Sequence, residues 1–220
     1  MASLLVSDAA EAVAQDLLRI GAVALRPSEP FRWASGRLAP VYTDNRLTLG
    51  HPAVRRRLTD AFAGLVAALP GAPTAIAGTA TAGIPHAAWL ADRLDLPMVY
   101  VRASAKAHGR GNQIEGPIAA GDRVVLVEDL ISTGGSAAAA ADALRDAGAH
   151  VDAILAIFSY GLDAAAELVR PATPVWTLTD IATLARVARD EGGLPGAELD
   201  ALAAWRDDPS AWSVARGGSA

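Results

Sequence analysis

Short apolar runs alternate with longer amphipathic stretches along most of the chain. Five runs rich in aliphatic residues are predicted to be strands: 74–78, 97–101, 123–129, 151–159 and 175–178. Helices are predicted to follow four of these runs, at about 83–94, 135–147, 162–170 and 179–190. Apolar strands separated by helices are typical of a parallel sheet that is covered on both faces. The pattern therefore predicts an α/β fold with a parallel sheet core flanked by helices, and ligands at the carboxyl ends of the strands.

The beginning of the chain follows a different pattern. A helix is predicted near 8–20, and a segment rich in Pro, Gly and aromatic residues follows at 26–50. A helix of about 53–69 then leads into the first strand of the sheet. We expect the extended pieces before this helix to form a small cap over the sheet edge.

The length of 220 residues fits one α/β domain over residues 1–220. Within it we expect an N-terminal hood at about 1–50 and a core at about 70–190. Residues 195–220 are predicted to add a helix and a tail that is frayed over 216–220.

Composition and charge exclude several classes of protein. With 52% hydrophobic residues, the chain can bury a core. A formal net charge of −5 does not suit a nucleic-acid partner, whose phosphates are bound by an excess of cations. The absence of Cys excludes disulfides, thiolate metal sites and cysteine nucleophiles, and a cytoplasmic location is expected.

One uncharged stretch, residues 61–91, is long enough to cross a bilayer. Three prolines, Pro70, Pro73 and Pro85, divide it into a helix, a turn, a strand and a second helix. The first residues of the chain also lack the basic and apolar regions of a secretory signal. We therefore expect no membrane partner.

The strongest functional signal is the sequence VVLVEDLISTGGS at residues 124–136. A buried strand ends in two carboxylates, Glu128 and Asp129, and small polar residues then lead into a helix. Glycines let backbone N–H groups approach a phosphate, and the N-terminus of the helix adds donors and a favourable dipole. An N-capped helix would explain the Ser and Thr residues but not the carboxylates. The segment predicts a ribose-phosphate site, in which the loop binds the 5-phosphate and the two carboxylates bind the ribose hydroxyls.

This segment resembles the phosphoribosyl pyrophosphate (PRPP) motif of type I phosphoribosyltransferases, and it is similar to the orotate-specific members in particular. The resemblance extends over about residues 10–190, with the motifs in family order. It implies that PRPP is bound by Glu128, Asp129, Leu130, Ile131, Ser132, Thr133, Gly134, Gly135 and Ser136. It also implies a catalytic role for Asp129 and a contact of Ser132 with orotate.

A Gly-, Ala- and Thr-rich turn at 78–88 resembles the pyrophosphate loop of the same family. By itself this sequence fits an ordinary strand-to-helix turn equally well. The resemblance implies that Ala80 and Thr81 contact PRPP. Because relatives often hold a cis non-proline peptide here, we expect one between Ala80 and Thr81.

The polar segment 101–116 contains Lys106, which is the only lysine among 19 basic residues. A solvated loop with scattered charges is the simpler interpretation, but the segment resembles the flexible catalytic loop of the family. The resemblance implies that Arg102, Lys106 and His108 bind the diphosphate of PRPP and that the last two are catalytic. Many relatives have a second lysine where this chain has Ala103.

Residues 31–46 resemble the orotate side of the family's hood, through their Ser-Gly, Pro-x-Tyr and Asp-Asn-Arg elements. Arg46, and less directly Arg37, are the candidate partners of orotate. The chain departs from some relatives at two positions. Ala34 stands in place of a lysine, and Tyr160 follows the fourth strand where an orotate-binding arginine occurs.

The resemblance implies transfer of phosphoribosyl from PRPP to orotate, which gives orotidine 5′-phosphate and pyrophosphate in pyrimidine synthesis. It implies Mg²⁺ as the cofactor, held mainly by PRPP and water with no side-chain ligand. It also implies a homodimer whose active site is shared between the chains. Two alternatives remain open: transfer to another base such as adenine, and a PRPP-sensing regulator without activity.

Overall fold

The computed structural model describes residues 7–33, 35–104, 113–162 and 173–220. The first element of the described residues is helix α1, Ser7–Arg19. Four short strands of the hood follow: β1 Val23–Leu25, β2 Phe31–Arg32, β3 Leu38–Ala39 and β4 Val41–Thr43. The pairs β1–β4 and β2–β3 form two separate antiparallel sheets. A 3₁₀-helix, Asn45–Gly50, then leads into helix α2, Pro52–Ala67.

The core is a six-stranded sheet. Its strands are β5 Ala75–Thr79, β6 Met98–Val101, β7 Ile114–Glu115, β8 Arg123–Ile131, β9 His150–Ser159 and β10 Val175–Asp180. Their order across the sheet is β10-β9-β8-β5-β6-β7. All neighbouring strands are parallel except β6 and β7, which are antiparallel. The predicted parallel core is thus confirmed, and the short edge strand β7 is an addition that the pattern did not predict.

Helices cover both faces of this sheet: α3 Gly83–Leu94, α4 Gly135–Asp146 and α5 Ile181–Asp190. Successive residues of β8 alternate between two cores, so that Val125 and Val127 face α1, α2, α3 and α5. Val124 and Leu126 face α4 on the other side. The helix predicted at 162–170 lies outside the described residues from position 163 onward.

The uncharged stretch 61–91 folds as the end of α2, a turn, strand β5 and the start of α3. In the four described ranges of the chain, no helix combines the length and the apolar character that crossing a membrane requires.

The C-terminal residues form two helices rather than one, α6 Gly196–Asp207 and α7 Pro209–Val214. Asp208 separates them and caps α7 by accepting a hydrogen bond from the N–H of Ala211 at 2.8 Å.

The prediction of a frayed tail at 216–220 is wrong. The N–H of Ser219 donates to the carbonyl oxygen of Gly36 at 3.1 Å. The buried hydroxyl of Ser213 donates to the carbonyl oxygen of Ser219 at 2.6 Å and accepts from the N–H of Leu38 at 2.9 Å. Hydrogen bonds to the main chain of the hood therefore anchor this tail.

Candidate functional site

A cavity of about 440 Å³ opens at the carboxyl ends of β5 and β8. Three segments line it: the end of the hood, the turn after β5, and the end of β8 with the loop that follows. The lining residues are Thr43, Asp44, Arg46, Ala80, Thr81, Ala82, Glu128, Asp129, Leu130, Ser132 and Ser136. The cavity thus brings together residues from three of the four sequence segments that were assigned to PRPP and orotate.

Strand β8 continues to Ile131, two residues beyond its predicted end at 129. Ile131 is buried, and its side chain packs in the core below α4. The turn into α4 is consequently short, and Gly134 occupies it with a left-handed φ of 81° that favours glycine. Thr133 and Gly134 lie in this turn and Gly135 begins α4, and none of the three lines the cavity.

Glu128 is the more buried of the two carboxylates, with 5% of its surface exposed. Its Oε1 accepts a hydrogen bond from the N–H of Asp129 at 3.0 Å, and its Oε2 accepts from the hydroxyl of Ser136 at 3.0 Å. Burial, together with the neighbouring Asp129 carboxylate, raises the pKa of Glu128 to about 8. The uncharged form of this carboxyl is therefore favoured at neutral pH, and a cation beside it would favour the charged form.

The peptide bond between Ala80 and Thr81 is cis, which confirms the prediction for this turn. The N–H of Ala80 donates to the carbonyl oxygen of Val101 at 2.8 Å. Gly83 starts α3 so close to β8 that a Cβ atom there would lie 2.5 Å from the carbonyl oxygen of Val127. This glycine allows the close packing of α3 on β8.

The Asp-Asn-Arg element of the hood divides into a surface ion pair, Asp44 with Arg46, and a buried amide, Asn45. The carboxylate of Asp44 accepts from Nε and Nη2 of Arg46 at 2.6 and 2.9 Å, and these hydrogen bonds lower the pKa of Asp44. Asn45 is buried and donates from Nδ2 to the main-chain oxygen of Asp129 at 2.7 Å. The Asp-Asn-Arg motif includes Asn45 but did not indicate this role for it. Arg37 does not line the cavity and donates to the hydroxyl of Ser210 at 3.1 Å.

The predicted catalytic loop is only partly described, because Lys106, His108 and Arg110 fall within 105–112, outside the described residues. Its two ends are paired. The N–H of Arg102 donates to the carbonyl oxygen of Gln113 at 2.9 Å, and the side chain of Gln113 returns a hydrogen bond at 2.8 Å. The guanidinium of Arg102 lies 3.7 Å from Glu115 and does not line the cavity.

Tyr160 forms an aromatic cluster where some relatives have an arginine. Its ring stacks on Trp33 with centroids 6.2 Å apart and meets Trp205 and Phe158 edge-on at 5.5 and 5.6 Å. Burial raises the pKa of Tyr160. The cluster connects the hood, the end of β9 and α6, whereas Ala34, the other departure, lies outside the described residues.

In the described part of the chain, no group of three or more His, Cys, Asp or Glu side chains could hold a metal ion. The cavity nevertheless offers two carboxyl groups, from Glu128 and Asp129, beside a phosphate-type loop. Oxygen donors suit Mg²⁺, which usually keeps several waters and binds through one or two carboxylates and the substrate's phosphates. The residues present therefore fit Mg²⁺ that arrives with a phosphorylated substrate.

A mixed sheet with this loop and carboxylate pair at the end of β8 defines a type I phosphoribosyltransferase. The model of the Phosphoribosyl transferase domain matches residues 48–188. The chain is 52% identical over 204 residues to the orotate phosphoribosyltransferase of Halalkalibacterium halodurans, which covers 92% of this chain and 97% of that protein. It is 49% identical to that of Lactiplantibacillus plantarum, over 94% of this chain and 99% of that one. The chain belongs to the orotate phosphoribosyltransferase family.

Solved structures agree with this assignment. The structure of orotate phosphoribosyltransferase from Aeropyrum pernix matches with a TM-score of 0.69 and 32% identity, over 83% of this chain and 99% of that chain. The adenine phosphoribosyltransferase of Trypanosoma brucei matches with a TM-score of 0.59 and 18% identity, over 78% of this chain and 80% of that chain. At that identity the second likeness concerns the fold alone.

Proposed function

We propose that this chain transfers the phosphoribosyl group of PRPP to orotate, which gives orotidine 5′-phosphate and pyrophosphate for pyrimidine synthesis. One observation carries the proposal. The end of β8 with its carboxylates, the turn at residues 80–82 and the hood residues Asp44 and Arg46 face one cavity. Such a cavity suits a ribose that carries a diphosphate, together with the base to which the ribose is joined.

In this proposal the ribose hydroxyls bind Glu128 and Asp129, and the loop through Ser132 and Ser136 surrounds the 5-phosphate. N–H groups at the N-terminus of α4 favour such an anion. The turn at Ala80 and Thr81 receives the pyrophosphate. The remaining members of the 128–136 segment contribute main-chain groups.

The departing pyrophosphate carries the developing negative charge of the reaction. We assign Lys106 and His108 to stabilise that charge, and Arg102 to bind the same group. Asp129 lies near the cationic ribose carbon, and Ser132 and Arg46 contact orotate. Positioning and electrostatic stabilisation then supply most of the rate enhancement.

Mg²⁺ is the proposed cofactor, held mainly by PRPP and water. When bound, it neutralises part of the charge of the diphosphate. Glu128 and Asp129 are the residues that would lie beside it, and the raised pKa of Glu128 would fall near a cation, so that the carboxyl ionises.

We further propose a homodimer in which the active site is shared between the two chains. Three large apolar side chains within residues 42–49, Tyr42, Leu47 and Leu49, are 45%, 45% and 36% exposed. Exposed apolar groups concentrated in one short segment favour contact with another protein surface. The proposed location is the cytoplasm, which suits a chain without Cys.

The function is tested by following the loss of orotate absorbance with purified protein, PRPP and Mg²⁺, with adenine and uracil as alternative acceptors. We expect turnover when orotate is the acceptor and none when adenine or uracil replaces it. Turnover with adenine instead would contradict the assigned base. Calorimetric binding of PRPP without turnover of any base would favour a PRPP-sensing regulator.

A further inference from the structure

The 3₁₀-helix Asn45–Gly50 has an inverted distribution of polar and apolar side chains. Leu47 and Leu49 are 45% and 36% exposed, whereas Asn45 and Thr48 are 1% and 0% exposed. Buried polar groups lose their hydration and must find partners within the protein. The hydrogen bonds of Asn45 and Thr48 therefore indicate what this helix does.

Asn45 joins the hood to the end of β8. Its Nδ2 donates to the main-chain oxygen of Asp129 at 2.7 Å, across 84 residues of sequence. Asn45 does not line the cavity, so its amide holds the main chain of a site residue from behind. Asp129 is the carboxylate that we assign to the ribose.

Thr48 connects the same helix to α3. Its Oγ1 donates to the carbonyl oxygen of Asn45 at 2.6 Å and lies 3.4 Å from Nε2 of the buried His86. Because the hydroxyl of Thr48 donates its proton to Asn45, its oxygen can accept a hydrogen bond from Nε2 when that nitrogen carries the ring proton. His86 belongs to the first turn of α3, directly after the cavity turn at residues 80–82.

These contacts connect the hood with both assigned subsites of PRPP. Asn45 contacts Asp129, which we assign to the ribose. Thr48 contacts α3, which directly follows the turn that we assign to the pyrophosphate. Small displacements between subsites weaken a ligand that must reach both.

We propose that Asn45 and Thr48 are positioning residues for PRPP. This inference rests on the proposed function. Asn45 fixes the main chain at Asp129, and Thr48 connects the 3₁₀-helix to α3. The ribose and pyrophosphate subsites therefore keep their spacing. Orotate, which does not bridge those two subsites, depends less on this arrangement.

Four variants test the proposal. Asn45→Asp keeps the size of the side chain and removes the Nδ2 donor, and Asn45→Ala removes the whole amide. Thr48→Val removes the buried hydroxyl. Thr59→Val is the matched control, because the hydroxyl of Thr59 also donates to a main-chain oxygen, that of Arg55 at 2.8 Å, but lies in α2 away from the cavity.

We expect Asn45→Asp, Asn45→Ala and Thr48→Val to raise the KM for PRPP by about tenfold and to change the KM for orotate by less than about twofold. Calorimetry with PRPP and Mg²⁺ should show the same loss of affinity. Thr59→Val should lower the melting temperature while both KM values stay at the wild-type level.

A purely structural role predicts a different result. If Thr48→Val and the Asn45 variants lower the melting temperature but leave the KM and the affinity for PRPP within about twofold of wild type, the proposal is overturned. If the Asn45 variants do not fold, Thr48→Val decides alone. Wild-type protein that binds PRPP but does not consume orotate would contradict the proposed function instead, and the binding comparison would still decide the positioning role.

Discussion

The hydroxyl of Ser136 donates to Oε2 of Glu128 at 3.0 Å and so joins the first turn of α4 to a buried carboxyl at the end of β8. The parts of the cavity that we assign to the 5-phosphate and to the ribose are thus joined by a hydrogen bond. Because burial favours the uncharged form, Glu128 has a raised pKa in this position.

Replacement of Glu128 by Gln should change how stability depends on pH. Burial raises the pKa of Glu128 from its ordinary value of 4.5 to about 8 in the folded protein. The folded state therefore keeps this proton longer, and its contribution to stability is complete below about pH 4.5 and lost as pH rises through about 8. We expect the free energy of unfolding of Glu128→Gln, relative to wild type, to rise across this window by on the order of 1–3 kcal/mol.

Urea denaturation at several pH values checks this expectation. Glu191→Gln is the control, because Glu191 is exposed on the surface and should give the wild-type profile. A difference between Glu128→Gln and wild type that is constant with pH would show that the pKa of Glu128 is the same in the folded and unfolded states.

Gly83→Ala should destabilise the protein, because the new Cβ would lie 2.5 Å from the carbonyl oxygen of Val127 in β8. Overpacking of this kind costs about 1–3 kcal/mol. Gly64→Ala is the matched control. Gly64 lies on the exposed face of α2 with no atom within 4 Å of the new Cβ, so alanine should stabilise by about 0.5–1 kcal/mol. Thermal unfolding of both variants should give shifts of opposite sign.

The core strands were predictable because each is a continuous apolar run in a parallel sheet. The end of β8 was predicted two residues early because the carboxylates of Glu128 and Asp129 interrupt that run, although Leu130 and Ile131 continue the strand. Strand β7 has only two residues and lies within a polar segment, so it carries no periodic signal.

Part of the cavity lining was predictable where its residues are close in sequence, because Glu128, Asp129, Leu130, Ser132 and Ser136 of the 128–136 segment line the cavity. Contacts that join distant parts of the chain were not predictable. Nothing local indicates that Asn45 reaches the main chain of Asp129, or that Ser213 meets Leu38 across 175 residues. Such bonds depend on tertiary placement, which the periodicity of a single helix or strand does not specify.

Ser213→Ala should loosen the contact between the C-terminal tail and the hood. The substitution removes the acceptor of the Leu38 N–H and the donor to the carbonyl oxygen of Ser219, at a site that is fully buried. Leaving such groups unpaired costs about 1–3 kcal/mol. Hydrogen exchange at Leu38 should accelerate accordingly. Ser28→Ala, which removes an exposed hydrogen bond to Glu198, should change stability by less than about 0.5 kcal/mol.

Lys106→Ala should lower turnover by several orders of magnitude, because it removes a cation that we assign to the leaving pyrophosphate. Lys106→Arg should restore only part of the activity, since a guanidinium differs from an ammonium in shape and hydration. Steady-state kinetics measure both effects, and circular dichroism checks that each variant is folded. Near wild-type turnover of Lys106→Ala would contradict the assigned role.

The proposal of an active site shared between two chains predicts that two inactive variants complement each other. If Lys106 acts in the site of the partner chain while Asp129 acts in its own, a mixed dimer of Lys106→Ala and Asp129→Ala has one site with both defects and one site with neither. With equal mixing and free exchange of subunits, half of the dimers are mixed, so roughly a quarter of all sites should be intact. The measurement is orotate consumption after exchange, compared with each variant incubated alone. Activity that stays at the sum of the two variants, in samples where mass spectrometry detects the mixed dimer, would assign Lys106 to the site of its own chain.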